Sequence, residues 1–273
     1  MNLPERAVTN MQYIQKLFMN VQAFMEQDHD LEEVIHFLDS EPPQFRSVAY
    51  ESASMALAFN EVSGARELQK WKEFYQHASV AHPFHTDIGL GWGLAKAGFH
   101  PSAFITGLSL VQQGMVYDGA GYYHALFKGR STIKKAEWPS GYNKEELEGF
   151  DQGLGRRLWY TSLGDVNKLN SLLQPFPAAR QPALWRGIGI ACGYVGGCDK
   201  PTLQQMLQLS ASNANHFAEG IGLAGISRNA SGSINTGIEL ACEVVCGKPI
   251  ALIVEESPLF FIKGTPISSL AID

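Results

Sequence analysis

Glu51, Asp118 and Glu219 each stand immediately before a tripeptide of the form small-x-small, and Ile88, Gln152 and Arg186 hold the same position in three further copies. Asp87 and Asp151 lie one residue earlier in their copies. If the copies fold alike, these positions gather in space. Carboxylates brought together in a partly apolar space repel one another and lose hydration. At least one then keeps its proton near neutral pH and can serve as a general acid. Asp118 and Glu51 are the leading candidates, with Asp151 and Glu219 assisting and Arg186 tuning the charge or holding an anionic substrate group. The competing reading puts the same charges on solvent-facing helix surfaces, or in first turns where acids favour the helix dipole.

Aromatic residues crowd the same stretches. Trp92, Tyr117, Tyr122, Trp159 and Trp185 all lie within a few residues of a tripeptide, and His124 follows Asp118 by six positions. As core filling they need no further role. Around carboxylates, together with Asp87 and Gln152, they would line a pocket for a flat or polyunsaturated ligand, and their faces would stabilise a developing cation. His82 and His85 precede Asp87 without forming a metal motif, so no metal site is assigned. The tripeptides follow no strand of a βαβ unit, which removes the dinucleotide-binding reading, and no Gly-x-Ser-x-Gly elbow is present. No cofactor is expected. Cys192, Cys198, Cys242 and Cys246 match no zinc spacing and read as small buried hydrophobes. Arg156 and Arg157, with Lys128 and Arg130, read as a solvated basic face.

The elements that must position these residues come from the repeat itself. The tripeptides are Ser52-Ala53-Ser54, Gly89-Leu90-Gly91, Gly119-Ala120-Gly121, Gly153-Leu154-Gly155, Gly187-Ile188-Gly189 and Gly220-Ile221-Gly222, at intervals of 37, 30, 34, 34 and 33 residues. A period of about 34 residues is the size of two helices and two turns. Between copies, Leu68, Trp71, Phe74 and Tyr75, and likewise Val166, Leu169, Leu172 and Leu173, recur at helical spacing. Asp199 and Pro201 mark a helix start. Each unit therefore reads as a glycine-bearing helix A followed by an amphipathic helix B. The fold class is all-α: about six tandem helical pairs, closed as an α/α toroid or stacked as a short superhelix. Glycine inside a helix costs about 1 kcal/mol relative to alanine, so its recurrence marks close helix contact or room for a ligand. One domain is expected, with residues 1–45 an N-terminal helical extension (Met11 to Phe24, then Leu31 to Leu38), 46–247 the repeats and 248–273 a tail. In that tail Ile250 to Val254 and Leu259 to Ile262 suggest a small β-hairpin.

Composition narrows the classes further. The chain has 273 residues, a net charge of −6 and 45% hydrophobic residues, enough for a sizeable core. With no basic run it is a poor nucleic-acid binder, and no apolar stretch is long enough to span a bilayer. A cytoplasmic location is expected.

The stretches Tyr50 to Ala58, Gly89 to Ala95, Tyr117 to Tyr122, Phe150 to Trp159 and Leu184 to Gly189 resemble an uncharacterised bacterial family, a domain of unknown function whose members recur among enediyne and related polyketide biosynthetic genes. Phe150-Asp151-Gln152-Gly153-Leu154-Gly155-Arg156 is the most distinctive part, and the first copy departs from it with Ser52 and Ser54 in place of glycine. The resemblance implies a role in specialised metabolism and assigns no catalytic residues. Two functions follow as expectations. One is an acid/base cyclase or isomerase acting on an apolar polyene, polyketide or isoprenoid. The other is a non-catalytic repeat protein that grips a partner enzyme, carrier protein or hydrophobic metabolite. A homo-oligomer is compatible with both.

Overall fold

The structure, a computed structural model, describes residues 5–65 and 68–256. These residues form thirteen α-helices and no strand. Two helices precede the repeats: α1 (Glu5–Met25) and α2 (Leu31–Asp39), the latter started by a capping box between Asp30 and Glu33. The A helices are α3 (Arg46–Gly64), α5 (Pro83–Lys96), α6 (Leu110–Phe127), α7 (Lys144–Ser162), α9 (Gln181–Val195) and α11 (Ala214–Ala230). Between or after them run α4 (Gln69–Ala78), α8 (Val166–Leu173), α10 (Lys200–Ser210), α12 (Thr236–Ala241) and α13 (Ile250–Glu255).

The six A helices are present, but the uniform pairing is not. Only α4, α8 and α10 are B helices of ordinary length. After α5 the chain makes a 3₁₀ turn at Pro101–Ala103, and after α6 a π turn at Arg130–Lys134. Gly98 and Pro101 interrupt the first connection, and Pro139 and Gly141 the second; Gly98 and Gly141 both take positive φ, so neither connection holds a run long enough to nucleate a full helix. The expected hairpin is also corrected. Pro249 occupies the N-cap of α13, and Ile250 packs into the core, so Ile250 to Val254 are helical. Leu259 to Ile262 lie outside the described residues.

Glycine does its work between A helices. Residues i and i+2 of a helix point about 200° apart, so the two small residues of each tripeptide face opposite neighbours. A Cβ on Gly119, Gly153 or Gly187 would overlap the carbonyl oxygen of Ile88, Asp118 or Gln152, the residue just before the tripeptide of the preceding A helix. A Cβ on Gly121 or Gly155 would overlap the carbonyl of Phe150 or Leu184, three residues before the tripeptide of the next one. Close packing, not ligand room, explains these glycines. The serines of the first copy keep the same register by bonding what glycine merely approaches. Ser52 Oγ donates to the Phe18 carbonyl of α1 (2.9 Å) and Ser54 Oγ to the Thr86 carbonyl of α5 (2.7 Å). The fixed register makes the A helices parallel. α3 packs on α5, α5 on α6, α6 on α7, α7 on α9 and α9 on α11. α1 lies along α3 and reaches α9, and Arg228 at the end of α11 donates to the Gln44 carbonyl ahead of α3, which joins the two ends of the series.

Candidate functional site

Because the tripeptides face sideways, the residue before each one faces inward, and so do residues four positions on. The first inward layer is Glu51, Ile88, Asp118, Gln152, Arg186 and Glu219. The second, Met55, Trp92, Tyr122, Arg156, Ile190 and Leu223, lines a cavity of about 760 Å³ walled by all six A helices and α1 and open at one end. Tyr160, Tyr194 and Ser227 line it one turn higher. On α7, α9 and α11 the first layer is its floor, whereas on α3 and α5 the cavity runs a turn deeper, to Val48, Phe84 and His85. Glu51 and Ile88 open into it, whereas Gln152, Arg186 and Glu219 open into a second cavity on the other side, with Met115 and Leu223 shared between the two.

A buried hydrogen-bonded chain crosses that floor. Arg156 Nη1 donates to Asp118 Oδ1 (2.7 Å) and Nη2 to Glu51 Oε1 (3.2 Å). Gln152 Nε2 donates to Asp118 Oδ2 (2.8 Å), and Arg186 Nε to Gln152 Oε1 (2.7 Å). His85 Nε2 lies 3.9 Å from Glu51 Oε2, and its Nδ1 lies 3.3 Å from Ser227 Oγ. Burial pushes both carboxyls up, against the opposing pull of Arg156. Burial also disfavours charge on Arg156, but Asp118 and Glu51 outweigh it, so the guanidinium stays charged. Asp118 accepts from two donors and also feels Arg186, whereas Glu51 accepts from one and is pushed further up by Asp118. Of the two acids, Glu51 is therefore the one whose surroundings favour the protonated form more. Burial, reinforced by Arg156, drives the His85 pKa well down, so the imidazole is neutral.

The wall above Glu51 is aromatic. Phe18 stacks on Trp92 (4.7 Å between centroids), Trp92 meets Tyr122 (4.9 Å), and Tyr122 meets Tyr160 edge-on (6.1 Å). Among the described residues no three His, Cys, Asp or Glu side chains gather as a metal site.

Residues 3–255 match the family model described as protein of unknown function (DUF1702). The chain belongs to the DUF1702 family. No curated protein and no solved structure matches it.

In this DUF1702 chain the sequence-derived candidates divide by angle around each helix. Glu51, Asp118, Gln152 and Arg186 converge in one polar chain. Trp92 and Tyr122 line the Glu51 cavity, whereas Asp118 is sealed beneath it, 0% exposed. Asp87 and Asp151, one residue off, face outward. Asp151 is bound by Arg180, with Nε at 2.8 Å and Nη2 at 2.5 Å, and by Trp138; Asp87 is wholly buried beside Tyr75. Glu219 is half exposed and pairs with His216 at 3.1 Å, apart from Glu51. Trp159 and Trp185 are core, Tyr117 donates to Glu146 (2.6 Å) beside the second cavity, and the ring of His124 rests edge-on against Phe150. Arg156 is not on a solvated face; it is 8% exposed and central to the site. Sequence reading put Arg156 on a solvated face, gave His85 no role, and missed Tyr194. Adding four to the inward position of each copy would have found Arg156, and adding eight Tyr160 and Tyr194.

Proposed function

We propose that the protein is a cofactor-independent enzyme of specialised-metabolite biosynthesis that protonates an apolar, polyunsaturated chain, polyketide or isoprenoid, and so starts its cyclisation or rearrangement. The observation that carries this reading is Glu51: a buried carboxyl with raised pKa, opening onto an aromatic-walled cavity. In the step, the Glu51 proton forms a C–H bond with the π electrons of a substrate double bond, leaving a carbocation that Trp92 and Tyr122 stabilise through their ring faces. Loss of a proton from a neighbouring carbon to the Glu51 carboxylate, directly or by way of neutral His85, which then returns it to Glu51, forms the product double bond and restores the acid. The overall change is an isomerisation, with no atom gained or lost. Arg156 stabilises the transient carboxylate, and Asp118 holds Arg156 in place. The biosynthetic setting rests on the motif resemblance at Phe150 to Arg156.

A non-catalytic holder of a hydrophobic metabolite would use the same apolar wall, but it gives no reason for a buried carboxyl with a raised pKa beneath it. Incubating Glu51→Gln and wild-type protein with candidate polyenes and comparing products by mass spectrometry separates the two. Catalysis by Glu51 is lost in the variant, whereas equal product from both proteins removes it from the chemistry.

A further inference from the structure

At one opening of the lumen the C-terminal ends of α5, α6 and α7 meet α1, whereas the C-terminal end of α11 reaches the start of α3, where Arg228 donates to the Gln44 carbonyl. Around that opening three large apolar side chains stand in solvent: Met19 of α1 (64% exposed), Phe127 ending α6 (64%) and Leu163 following α7 (51%). All three line the mouth of the Glu51 cavity. Single exposed apolar residues are ordinary, but three around one opening mark a contact surface. Leu163 adds a separate signal. It caps α7 in the left-handed conformation, φ 52°, where glycine or asparagine would cost less and a polar side chain would suit water better.

Charge separates along the same axis. Lys96, ending α5, and Arg157 share that mouth with the acid Glu26, and Asp165 follows Leu163 by two positions. Exposed Lys16 lies one turn before Met19, and exposed Lys128 follows Phe127. The second cavity, at the opposite rim, carries Glu145, Glu146, Glu148, Glu219 and Glu256 against Arg186 and Lys248. Helix dipoles favour this division of sign. They do not account for the apolar side chains set among the cations.

We propose that this rim seats the protein on an anionic lipid bilayer. Met19, Phe127 and Leu163 enter the interfacial region, the surrounding Lys and Arg side chains meet headgroup phosphates, and the acidic end faces away. The association is peripheral, since no helix among the described residues is long and apolar enough to cross a membrane. Resting on the proposed function, the seat also gives a poorly soluble substrate a path from bilayer to cavity without crossing water. An acidic protein would satisfy the cations too, but apolar side chains from three separate elements around an open mouth suit a fluid surface better than a fitted one.

The test is co-sedimentation of the full chain with phosphatidylcholine vesicles, with and without phosphatidylglycerol, at low and high salt. Sedimentation with the anionic vesicles alone, weakened by salt, is expected. The combined variant Met19→Ser, Phe127→Ser, Leu163→Ser lowers the partition coefficient at least about tenfold, with circular dichroism and melting temperature unchanged because these side chains are exposed. Glu51→Gln sediments like wild type, so loss of turnover and loss of docking are read independently. No binding to anionic vesicles, equal partition of the triple variant, or capture by an acidic protein without vesicle binding overturns the proposal.

Discussion

Gly153 of α7 lies against the carbonyl oxygen of Asp118 on α6, so the contact that joins two A helices also fixes the carboxylate that holds Arg156. Packing and site chemistry meet at one backbone atom.

Gly153→Ala puts a methyl group where that oxygen already sits, and neither helix backbone can yield alone. The expected cost is about 3 kcal/mol or more, with loss of soluble protein. Gly114→Ala, in the same family of helices, meets nothing within 4 Å and gains helix propensity, so it stabilises by up to about 1 kcal/mol. Urea denaturation of both variants checks the contrast.

Asp118 and Glu51 separate by substitution. Asp118→Asn leaves a buried guanidinium without its main counter-charge and costs about 3–5 kcal/mol. Glu51→Gln replaces a protonated acid with a neutral isostere that still accepts from Arg156, so stability stays within about 1 kcal/mol. Turnover in Glu51→Gln falls at least about 10²-fold. Paired melting curves and single-turnover rates test both halves.

The pH dependence of turnover follows from the raised Glu51 pKa. The acid works protonated, so the rate is full at low pH and declines as pH rises through a pKa above the ordinary carboxylate range. A profile that instead climbs through neutrality would assign the slow step to a base.

Asp87 sets a pH dependence of stability. Its side chain is 0% exposed, neither oxygen is well hydrogen-bonded among the described residues, and burial holds its pKa well up against the opposing pull of the nearby Tyr75 hydroxyl. The folded chain keeps this proton where the unfolded chain releases it, so its contribution falls as pH rises from the ordinary carboxylate range towards the folded pKa. Asp87→Asn removes that slope. It is expected to match wild type near pH 4 and to exceed it by about 1–3 kcal/mol at pH 8, read from melting temperature against pH.

Much of this was legible in the residues themselves. The tripeptide interval announced the six A helices, Asp199 with Pro201 announced α10, and the position before each tripeptide announced the convergence of Glu51, Asp118, Gln152 and Arg186. The Ile250 to Val254 run misled, since β-branched residues after a proline cap form a helix once Ile250 finds a core to bury in.

By itself the sequence determined the angular order: which residues of each A helix face a neighbour and which face the lumen, because helical geometry converts spacing into direction. Only the tertiary structure decided which inward residues share a space. Asp87 and Asp151, one position away, turn about 100° outward. Asp118 is sealed under the floor by Arg156 and Gln152, and Glu219 falls on the far side of it. The physical reason is that depth along the lumen, and the closure made by α1 and Arg228, depend on contacts between residues more than a hundred positions apart. No local pattern encodes those contacts.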